Sequence, residues 1–303
     1  MPLSKRRREP RLRDFFRTRN AAMRDLLGTV GKVLDRDVSI LILGESGTGK
    51  DHLASAIHAS GPRRNEPFVH IDCASIPPDL FESELFGFEK GTFTDAQARR
   101  PGKLELARRG TVYFDEIAAL APMLQAKLLR AIQERHFTRL GSNESIAFEA
   151  RVISSSSADP ATLRRDLLYR INVVTITLPP LRERAEDIAA LASGFATKPI
   201  DDDAMAVLIE HTWPGNIREL RNAIERASLM SDGETITAPS LPATSLPELV
   251  AAASHARWTL DELESRYIRE VLRQTKSNYS RAAEILGINR KTLLEKRRKY
   301  GIE

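Results

Sequence analysis

The feature that most constrains this chain is a glycine-rich turn between an apolar run and a helix-forming segment. The apolar run is Val38–Leu43, and Leu53–His58 has helical character. The turn between them has the spacing G-x-x-x-x-G-K, which is typical of a phosphate-binding loop, because glycines let backbone N–H groups approach phosphate oxygens and the lysine adds a positive charge. We therefore predict that nucleotide phosphates bind at Gly44, Glu45, Ser46, Gly47, Thr48, Gly49, Lys50 and Asp51.

Two consecutive carboxylates supply a candidate for the second half of this site. Asp115 and Glu116 follow the apolar run Thr111–Phe114. Because ligands of open α/β sheets lie at the carboxyl ends of strands, we expect Asp115 to hold Mg²⁺ and Glu116 to polarise an attacking water. Asp51 stands where a Ser or Thr usually helps to hold that metal, so we expect the metal to depend on other ligands. The alternative is a strand that ends in a solvated acidic turn.

Alternating strands and helices indicate the class of fold. Further strands are predicted at Phe68–Ile71, Arg151–Ser155 and Val173–Leu178, with helices such as Met123–Gln133 between them. This order predicts an α/β fold with a largely parallel sheet. After Pro179 and Pro180 the pattern becomes helical, and the predicted helices are Ala185–Phe195, Asp202–His211 and Asn216–Ser231.

Composition excludes several classes of protein. The chain of 303 residues has one cysteine, which excludes a disulfide framework and a cysteine-based zinc site. It has no apolar run near the roughly 18 residues of a membrane span, and its basic start lacks the apolar segment of a secretory signal. We therefore expect a cytoplasmic protein with no membrane partner.

Charge is distributed unevenly along the chain. Residues 1–20 hold eight Lys and Arg against two Asp and Glu, and residues 276–303 hold eight against three, whereas the rest is acidic. Basic ends indicate a polyanionic partner, usually nucleic acid, although a solvated tail and a charged helix face would have the same composition. The N-terminal stretch has little apolar content, and we expect a tail there rather than a second DNA contact.

The basic C-terminal end has the pattern of a helix-turn-helix. A helix beginning near Asn278 and a second one over Arg290–Tyr300 flank a turn at Gly287. The N-terminal part of the second helix would read base edges, and basic residues further along would contact phosphates. The predicted DNA-binding residues are Asn289, Arg290, Lys291, Thr292, Lys296 and Arg297. A helix with a solvated basic face is the alternative, and the expected complex is a dimer on a palindromic site.

Five motifs in order resemble those of the bacterial enhancer-binding proteins, AAA+ ATPases that activate transcription by sigma-54 RNA polymerase. The motifs are Gly44–Lys50, Glu84–Gly87, Asp115–Glu116, Leu178–Arg184 and Trp213–Leu220, and a Fis-type module matches the C-terminal end. The resemblance implies an AAA+ P-loop NTPase fold with a helical lid and an all-α helix-turn-helix module. It also implies ATP and Mg²⁺ as cofactors, enhancer DNA as a partner, and assembly from a dimer up to a hexameric ring. The resemblance covers an α/β ATPase part at 21–180, a lid at 181–231 and the DNA-binding module at 259–303. Composition indicates the remaining two segments, a basic arm at 1–20 and a linker at 232–258 that is rich in Pro, Ser, Thr and Ala.

The resemblance also assigns roles to single residues. Arg164 and Arg170 match arginine fingers that reach a neighbouring subunit's nucleotide, and Arg218 matches a second sensor. Phe93 and Thr94 match the residues that contact sigma-54. Without the resemblance, the three arginines would be taken as ordinary ion-pair residues and the Phe93–Thr94 segment as a polar loop.

Some positions depart from the family pattern. Thr92 and Asp95 alter the sigma-54 loop, and Ser157 replaces an Asn of the first sensor. Asp72 stands where an Asn usually holds the catalytic glutamate, so it is a candidate catalytic residue. The favoured interpretation is an ATP-driven sigma-54 activator, and the alternative is a DNA-binding regulator that keeps the AAA+ scaffold but acts without sigma-54. Because no regulatory domain fits before Ala21, we expect control by a partner protein in trans or by abundance.

Overall fold

The computed structural model describes residues 12–16, 18–93, 96–231, 233–238, 258–275 and 278–302. The chain forms two compact units, one of Met1–Leu191 with Gly215–Arg218 and the other of Ala192–Pro214 with Glu219–Glu303. Within the described residues, no helix combines the length and the apolar character needed to cross a membrane.

The secondary structure follows the predicted alternation. The strands are β1 (Ile40–Leu43), β2 (Phe68–Asp72), β3 (Gly87–Phe88), β4 (Arg100–Pro101), β5 (Thr111–Asp115), β6 (His136–Phe137), β7 (Ile146–Ala147), β8 (Arg151–Ser156) and β9 (Val174–Thr177). The helices are α1 (Ala21–Val33), α2 (Lys50–Ser60), α3 (Pro78–Phe86), α4 (Lys103–Leu106), α5 (Pro122–Glu134), α6 (Arg165–Ile171), α7 (Ile188–Phe195), α8 (Asp202–Glu210), α9 (Asn216–Met230), α10 (Leu260–Gln274), α11 (Tyr279–Ile285) and α12 (Arg290–Lys299). The predicted strands and the parallel sheet are therefore confirmed.

The first unit is built on a five-stranded sheet with the order β2-β5-β8-β1-β9, in which every pairing is parallel. Successive residues of a strand face opposite sides, so both faces of this sheet must be covered by apolar groups. In β5, Tyr113 packs in the core cluster that includes α1 and α2, whereas Phe114 packs in the cluster that includes α3 and α5. The loops after β1, β2, β5 and β8 therefore lie at one carboxyl edge, where the candidate site is found.

Two small antiparallel hairpins, β3 with β4 and β6 with β7, lie in the same unit. Arg139, which follows β6 and is only 3% exposed, holds them together. Its guanidinium donates to the carboxylates of Glu89, Glu105 and Glu144 at 2.8–3.1 Å. The Arg139 hydrogen bonds lower the pKa of Glu105 although burial opposes the shift. The loop between β3 and β4 thus starts from a fixed base.

The prediction of a tail at the N-terminus is wrong for the residues that the structure describes there. Leu12–Phe15 form a 3₁₀ turn, Leu12 is 6% exposed in the core cluster of α1 and α2, and the Phe16 ring lies 4.9 Å from that of His52. The side chain of Asp187 accepts hydrogen bonds from the Thr18 hydroxyl and the Arg19 N–H. Leu12, Phe15 and Phe16 have the i, i+3, i+4 spacing of one helical face, which outweighs the surrounding charge. Residues 1–11 and 17 lie outside the described residues.

In the second unit, the helical lid has a buried tryptophan. Trp213 is 1% exposed, and its indole N–H donates to the carbonyl of Leu208 in α8. Ile236, in the predicted linker, is fully buried, and its N–H donates to the carbonyl of Pro199. The linker prediction is therefore wrong at Ile236, because an apolar residue with paired backbone groups belongs to the packed lid. Residues 239–257 of that linker lie outside the described residues.

The C-terminal end of the second unit is a three-helix module. Its core contains Ile268, Val271, Leu272, Ala282, Ala283 and Leu293. Gly287, with φ +64°, makes the turn between α11 and α12, and Asn278 and Asn289 cap the two helices by accepting from Arg281 N–H and Thr292 N–H. The predicted helix, glycine turn and basic helix are confirmed.

Candidate functional site

The phosphate loop takes a backbone conformation that only glycine accepts at low cost. Gly44, Gly47 and Gly49 have φ values of +151°, +78° and +99°. A Cβ on Gly47 would lie 2.3 Å from the carbonyl oxygen of Gly215, so the close approach of two backbone segments also requires glycine here. The loop joins β1 to α2, as the sequence predicts.

Lys50 closes the loop from the first turn of α2. It is 5% exposed, and its ammonium group donates to the carbonyls of Gly44 and Glu45 at 3.0 and 3.3 Å. It also forms an ion pair of 3.1 Å with the Glu116 carboxylate. Lys50 and Glu116, predicted from separate motifs, are therefore in direct contact.

Glu116 is held by the strand next to its own. Its N–H donates to the Ser155 hydroxyl, and its carboxylate accepts from both the N–H and the hydroxyl of Ser157 at 2.8 Å. Burial raises the pKa of Glu116, but the hydrogen bonds from Ser157 and Lys50 outweigh burial and leave the pKa below its usual value. The carboxylate is therefore ionised at neutral pH, as a general base must be.

Asp115 lies in a group of oxygen donors beside the loop. The Tyr113 hydroxyl lies 2.8 Å from an Asp51 carboxylate oxygen and 3.0 Å from an Asp115 carboxylate oxygen, and the Ser155 hydroxyl donates to Asp115. Burial raises the pKa of the Tyr113 phenol far above its usual range, so this group stays protonated. Carboxylate oxygens are the donors that Mg²⁺ prefers, so Asp115 and Asp51 fit this metal although the usual hydroxyl at position 51 is absent.

Asp72 has a different environment from the one we expected. Its carboxylate accepts hydrogen bonds from the N–H groups of Ala74 and Ser75 and so caps its own turn after β2. Asp72 and Asp115 are paired in the register of the two strands, which brings Asp72 to the correct edge. The side chains that bind the Glu116 carboxylate are those of Lys50 and of Ser157, at the sensor position, and no hydrogen bond among the described residues joins Asp72 to it.

A second segment, Gly215–Arg218, lies on the phosphate loop. Arg218 donates to the Ser46 hydroxyl at 2.9 Å, and Ile217 N–H donates to the Gly47 carbonyl. Asn216, which is fully buried with φ +54°, donates to the Ser46 carbonyl and accepts from Leu181 N–H. Arg218 therefore contacts the phosphate loop, and its role as a second sensor stays a prediction.

Two arginines that were not predicted as site residues also hold the loop. Arg182 forms two hydrogen bonds with the Glu45 carboxylate at 2.7 and 2.9 Å, and Arg184, 4% exposed, donates to the Thr48 carbonyl at 2.7 Å. Their only sequence signal is membership of the motif Leu178–Arg184.

Arg164 and Arg170 are placed away from these contacts. Arg164 forms a bidentate pair with Asp166, and Arg170 donates to the Ile132 carbonyl at 3.4 Å. In the described part of the chain, no hydrogen bond joins either arginine to the phosphate loop. Their role as arginine fingers stays a prediction.

The loop between β3 and β4 carries Phe93, which is 43% exposed and lies 4.7 Å from the Phe88 ring, centroid to centroid. The Thr92 hydroxyl is within hydrogen-bond distance of the carbonyls of Glu89 and Leu140. The other predicted contact residue, Thr94, lies outside the described residues, as does Asp95.

In the C-terminal module, the predicted DNA-binding residues divide into two groups. Asn289 and Thr292 are joined by the helix cap. Lys296 donates to Glu264 at 2.6 Å, and Arg297 donates to the Ile302 carbonyl and the Tyr279 hydroxyl. These four side chains have structural partners inside the module. Arg290 and Lys291 are exposed, and no ion pair joins them to another described residue.

Comparisons with known proteins agree with this architecture. Residues 16–177 match the sigma-54 interaction domain, residues 182–257 the AAA+ ATPase lid domain, and residues 259–300 the bacterial regulatory protein Fis family. The regulatory protein AtoC of Escherichia coli is 42% identical over 94% of this chain and 68% of its own length. The transcriptional regulatory protein ZraR of Klebsiella oxytoca is 45% identical over 91% of this chain and 66% of its own length, so the chain spans about two thirds of these relatives.

A solved structure has the same fold. The crystal structure of NtrX from Brucella abortus in complex with ADP is 34% identical, with a TM-score of 0.71 over 95% of this chain and 70% of that one. A sigma-54 interaction domain covers more than half of this chain, and the match to AtoC covers two thirds of the length of AtoC. This chain therefore belongs to the sigma-54-dependent transcriptional regulators, with an AAA+ domain, a lid and a Fis-type helix-turn-helix.

Proposed function

We propose that this protein hydrolyses ATP to remodel the closed complex of sigma-54 RNA polymerase at a promoter while its C-terminal module is bound to upstream enhancer DNA. The observation that carries the proposal is the convergence of three motifs on one point. Lys50 of the phosphate loop forms an ion pair with Glu116 of the acidic pair and donates to the Gly44 carbonyl. Arg218 of the lid motif donates to the Ser46 hydroxyl in the same loop.

The contacts of Lys50 suggest how nucleotide binding starts the reaction. Lys50 pairs with Glu116 at 3.1 Å, and a phosphate would compete for the same ammonium group. Once Lys50 turns to the phosphate, Glu116 keeps its two hydrogen bonds from Ser157 and can accept a proton from water. Backbone N–H groups of the loop and the start of α2 bind and orient the phosphates.

Mg²⁺ would be held by Asp115, with Asp51 close enough to contribute, and it would supply charge neutralisation at the phosphates. Arg164 and Arg170 are proposed to complete the site of a neighbouring subunit in a ring, because an arginine supplied in trans stabilises the charge that develops in phosphoryl transfer. In that ring, Arg164 would exchange its partner Asp166 for phosphate.

The two macromolecular contacts are proposed at opposite parts of the sequence. Phe93, exposed in a loop that Arg139 and Thr92 support, would contact sigma-54 together with Thr94. Arg290 and Lys291, at the exposed start of α12, would read enhancer DNA in a dimeric complex.

The proposal is tested by trapping the protein with ADP and a mimic of the γ-phosphate transition state, then measuring binding to purified sigma-54. We expect binding in the trapped state and its loss in Thr94→Ala, with ATP turnover kept. Full ATP turnover with no sigma-54 binding in any nucleotide state would instead support a DNA-binding regulator that acts without sigma-54.

A companion variant tests the base. Glu116→Gln is expected to bind ATP within a few-fold of the wild type but to lose at least about 100-fold in turnover, because a general base contributes about 10²–10⁴-fold. Unchanged turnover in this variant would show that Glu116 is not the base.

A further inference from the structure

Three metal-ligating side chains meet beside the phosphate loop. They are Asp51 of α2, His70 of β2 and Asp115 at the end of β5, and one ligand atom from each lies within 4.8 Å of the other two. The His70 imidazole Nε2 is 3.9 Å from an Asp115 carboxylate oxygen. None of the sequence motifs includes His70.

The fold fixes this grouping. β2 and β5 are parallel neighbours in which His70 is paired with Tyr113, and the two rings lie 5.1 Å apart, centroid to centroid. Since residues two apart on a strand share a face, Asp115 lies on the same face as Tyr113 and His70. The first turn of α2 brings Asp51 to this face, where the Tyr113 hydroxyl contacts both carboxylates.

The charge of the two carboxylates is not neutralised by the protein. Tyr113 has one hydroxyl proton, which it can give to only one carboxylate at a time. Lys50, which precedes Asp51 in the chain, forms its ion pair with Glu116. In the part of the chain that the structure describes, no Lys or Arg forms an ion pair with Asp51 or Asp115. The hydroxyls of Ser155 and Tyr113 donate hydrogen bonds there but carry no charge, so two negative groups meet the His70 ring without a basic side chain paired to them.

We propose that Asp51, His70 and Asp115 form a cation site that takes a first-row transition-metal dication such as Zn²⁺ in preference to Mg²⁺, and that takes it without nucleotide. The imidazole nitrogen decides the preference, because imidazole suits zinc, copper, iron and nickel, whereas Mg²⁺ selects oxygen donors. A metal with ligand bonds of about 2.0–2.2 Å needs donors roughly 3.0–3.5 Å apart, so the 3.9 Å separation of His70 and Asp115 closes by a small side-chain movement. The site shares Asp115 with the proposed ATP site but does not depend on hydrolysis.

The test is a Zn²⁺ titration of the full, nucleotide-free chain in competition with a chromophoric chelator, with Mg²⁺ in large excess. We expect one Zn²⁺ per chain and at least about tenfold weaker binding in His70→Ala. The His70 side chain is 45% exposed, so the variant keeps its core, and its thermal unfolding is expected to match that of the wild type.

Two controls make the result specific. His136→Ala removes an exposed histidine of similar accessibility beside Glu134, and Cys73→Ala removes the single thiol; both are expected to bind Zn²⁺ like the wild type. Equal affinity in His70→Ala and the wild type, or complete displacement of Zn²⁺ by Mg²⁺, would overturn the proposal. Since neither ATP nor sigma-54 is present, such a failure leaves the proposed function standing. Unchanged ATP turnover in Glu116→Gln, which would contradict the proposed base, in turn leaves the metal site standing.

Discussion

At the scale of single residues, two glycines of this chain have opposite requirements. Gly47 combines φ +78° with a site for Cβ only 2.3 Å from the Gly215 carbonyl oxygen, whereas Gly28 lies in α1 with nothing within 4 Å of a Cβ. The first position needs glycine for both its conformation and its close contact. Gly28 has the entropic cost of a glycine in a helix, although neither its conformation nor its surroundings require glycine.

We therefore expect Gly47→Ala to destabilise the protein by about 1–3 kcal/mol and to abolish ATP binding, because the loop and the segment Gly215–Arg218 must move apart. Gly28→Ala, the matched control, is expected to raise the free energy of unfolding by about 0.5–1 kcal/mol. Urea unfolding and fluorescent-nucleotide binding measure the two effects. Wild-type ATP affinity in Gly47→Ala would mean that the loop tolerates a side chain.

Ser157 permits a prediction about pH. Its hydroxyl donates to the ionised carboxylate of Glu116 and so helps to keep the pKa of Glu116 below its usual value against the opposing effect of burial. Removing that donor disfavours the charged form, which raises the pKa. In Ser157→Ala we expect the acid limb of the ATP turnover profile to move to higher pH, because the base is protonated sooner as pH falls.

The measurement is ATP turnover against pH for both proteins. Ser75→Ala is the control, since among the described residues its exposed hydroxyl donates to the Asp72 carbonyl alone. A uniform loss of turnover in Ser157→Ala with no shift of the acid limb would mean that Ser157 acts on geometry and not on the pKa of Glu116.

At the scale of elements, the Thr92 hydroxyl adds a side-chain contact to the loop between β3 and β4. Thr92 lies close to the Leu140 carbonyl, and Gly141, with φ +75°, has no room for a Cβ because the Thr92 hydroxyl would lie 2.4 Å from it. The loop that carries Phe93 is thus tied to the segment that follows β6. Since Thr92 is one of the two positions at which this loop departs from the family pattern, the contact distinguishes the chain from that pattern.

We expect Thr92→Val, which keeps the shape but removes the hydroxyl, to loosen this tie by about 1 kcal/mol, the typical net contribution of one hydrogen bond. Amide exchange of the segment 88–93, measured by mass spectrometry, should then quicken about fivefold, because the Thr92 N–H and Gly91 N–H bonds to Glu89 and Ala96 open more often. The β5 segment serves as the internal control. Unchanged exchange at 88–93 would show that the backbone alone holds the loop.

The sequence predicts elements whose pattern lies among neighbouring residues. It does not predict contacts between residues that are far apart in the chain. The apolar run Thr111–Phe114 predicts β5, and the next two carboxylates predict the acidic pair, because both depend on neighbours in the chain. The grip of Arg182 on Glu45 joins positions 137 residues apart and follows from the order of the strands, which no periodicity contains. Leu12 is different, because its i, i+3 spacing to Phe15 is a local signal in the sequence. The prediction of a tail gave more weight to the surrounding charge than to this apolar spacing.

At the scale of the whole molecule, the basic C-terminal end is less free than its composition indicates. Lys296 and Lys299 pair with Glu264 and Asp261 of α10, at 2.6 and 2.9 Å. Arg297 lies 5.3 Å from the centroid of the Tyr279 ring and donates to the Ile302 carbonyl. Arg290 and Lys291 at the start of α12, and Arg298 near its end, are exposed and form no ion pair with another described residue. Of these, Arg290 and Lys291 lie where a recognition helix presents its N-terminal residues to the major groove.

Two arginines of α12 should consequently respond in opposite ways to alanine substitution. Arg290→Ala is expected to weaken DNA binding and to lower the slope of log K against log salt by about 1, with the free energy of unfolding unchanged. Arg297→Ala is expected to lower the free energy of unfolding by about 1–2 kcal/mol, because it removes two hydrogen bonds and a cation–π contact. When only the folded fraction of each protein is considered, the slope of log K against log salt for Arg297→Ala should stay near that of the wild type.

Fluorescence anisotropy on a labelled palindromic duplex over a range of salt concentrations, together with urea unfolding of the same samples, separates the two effects. If Arg297→Ala lowered the salt slope as much as Arg290→Ala, the guanidinium would have to leave Tyr279 and Ile302 on binding DNA. The phosphate-contact role expected from its basic sequence context would then outweigh its structural one. Comparison of Arg290→Ala with Arg297→Ala therefore decides how the basic residues of the C-terminal module divide their roles. Its internal contacts predict that some of them stabilise the module and others bind DNA.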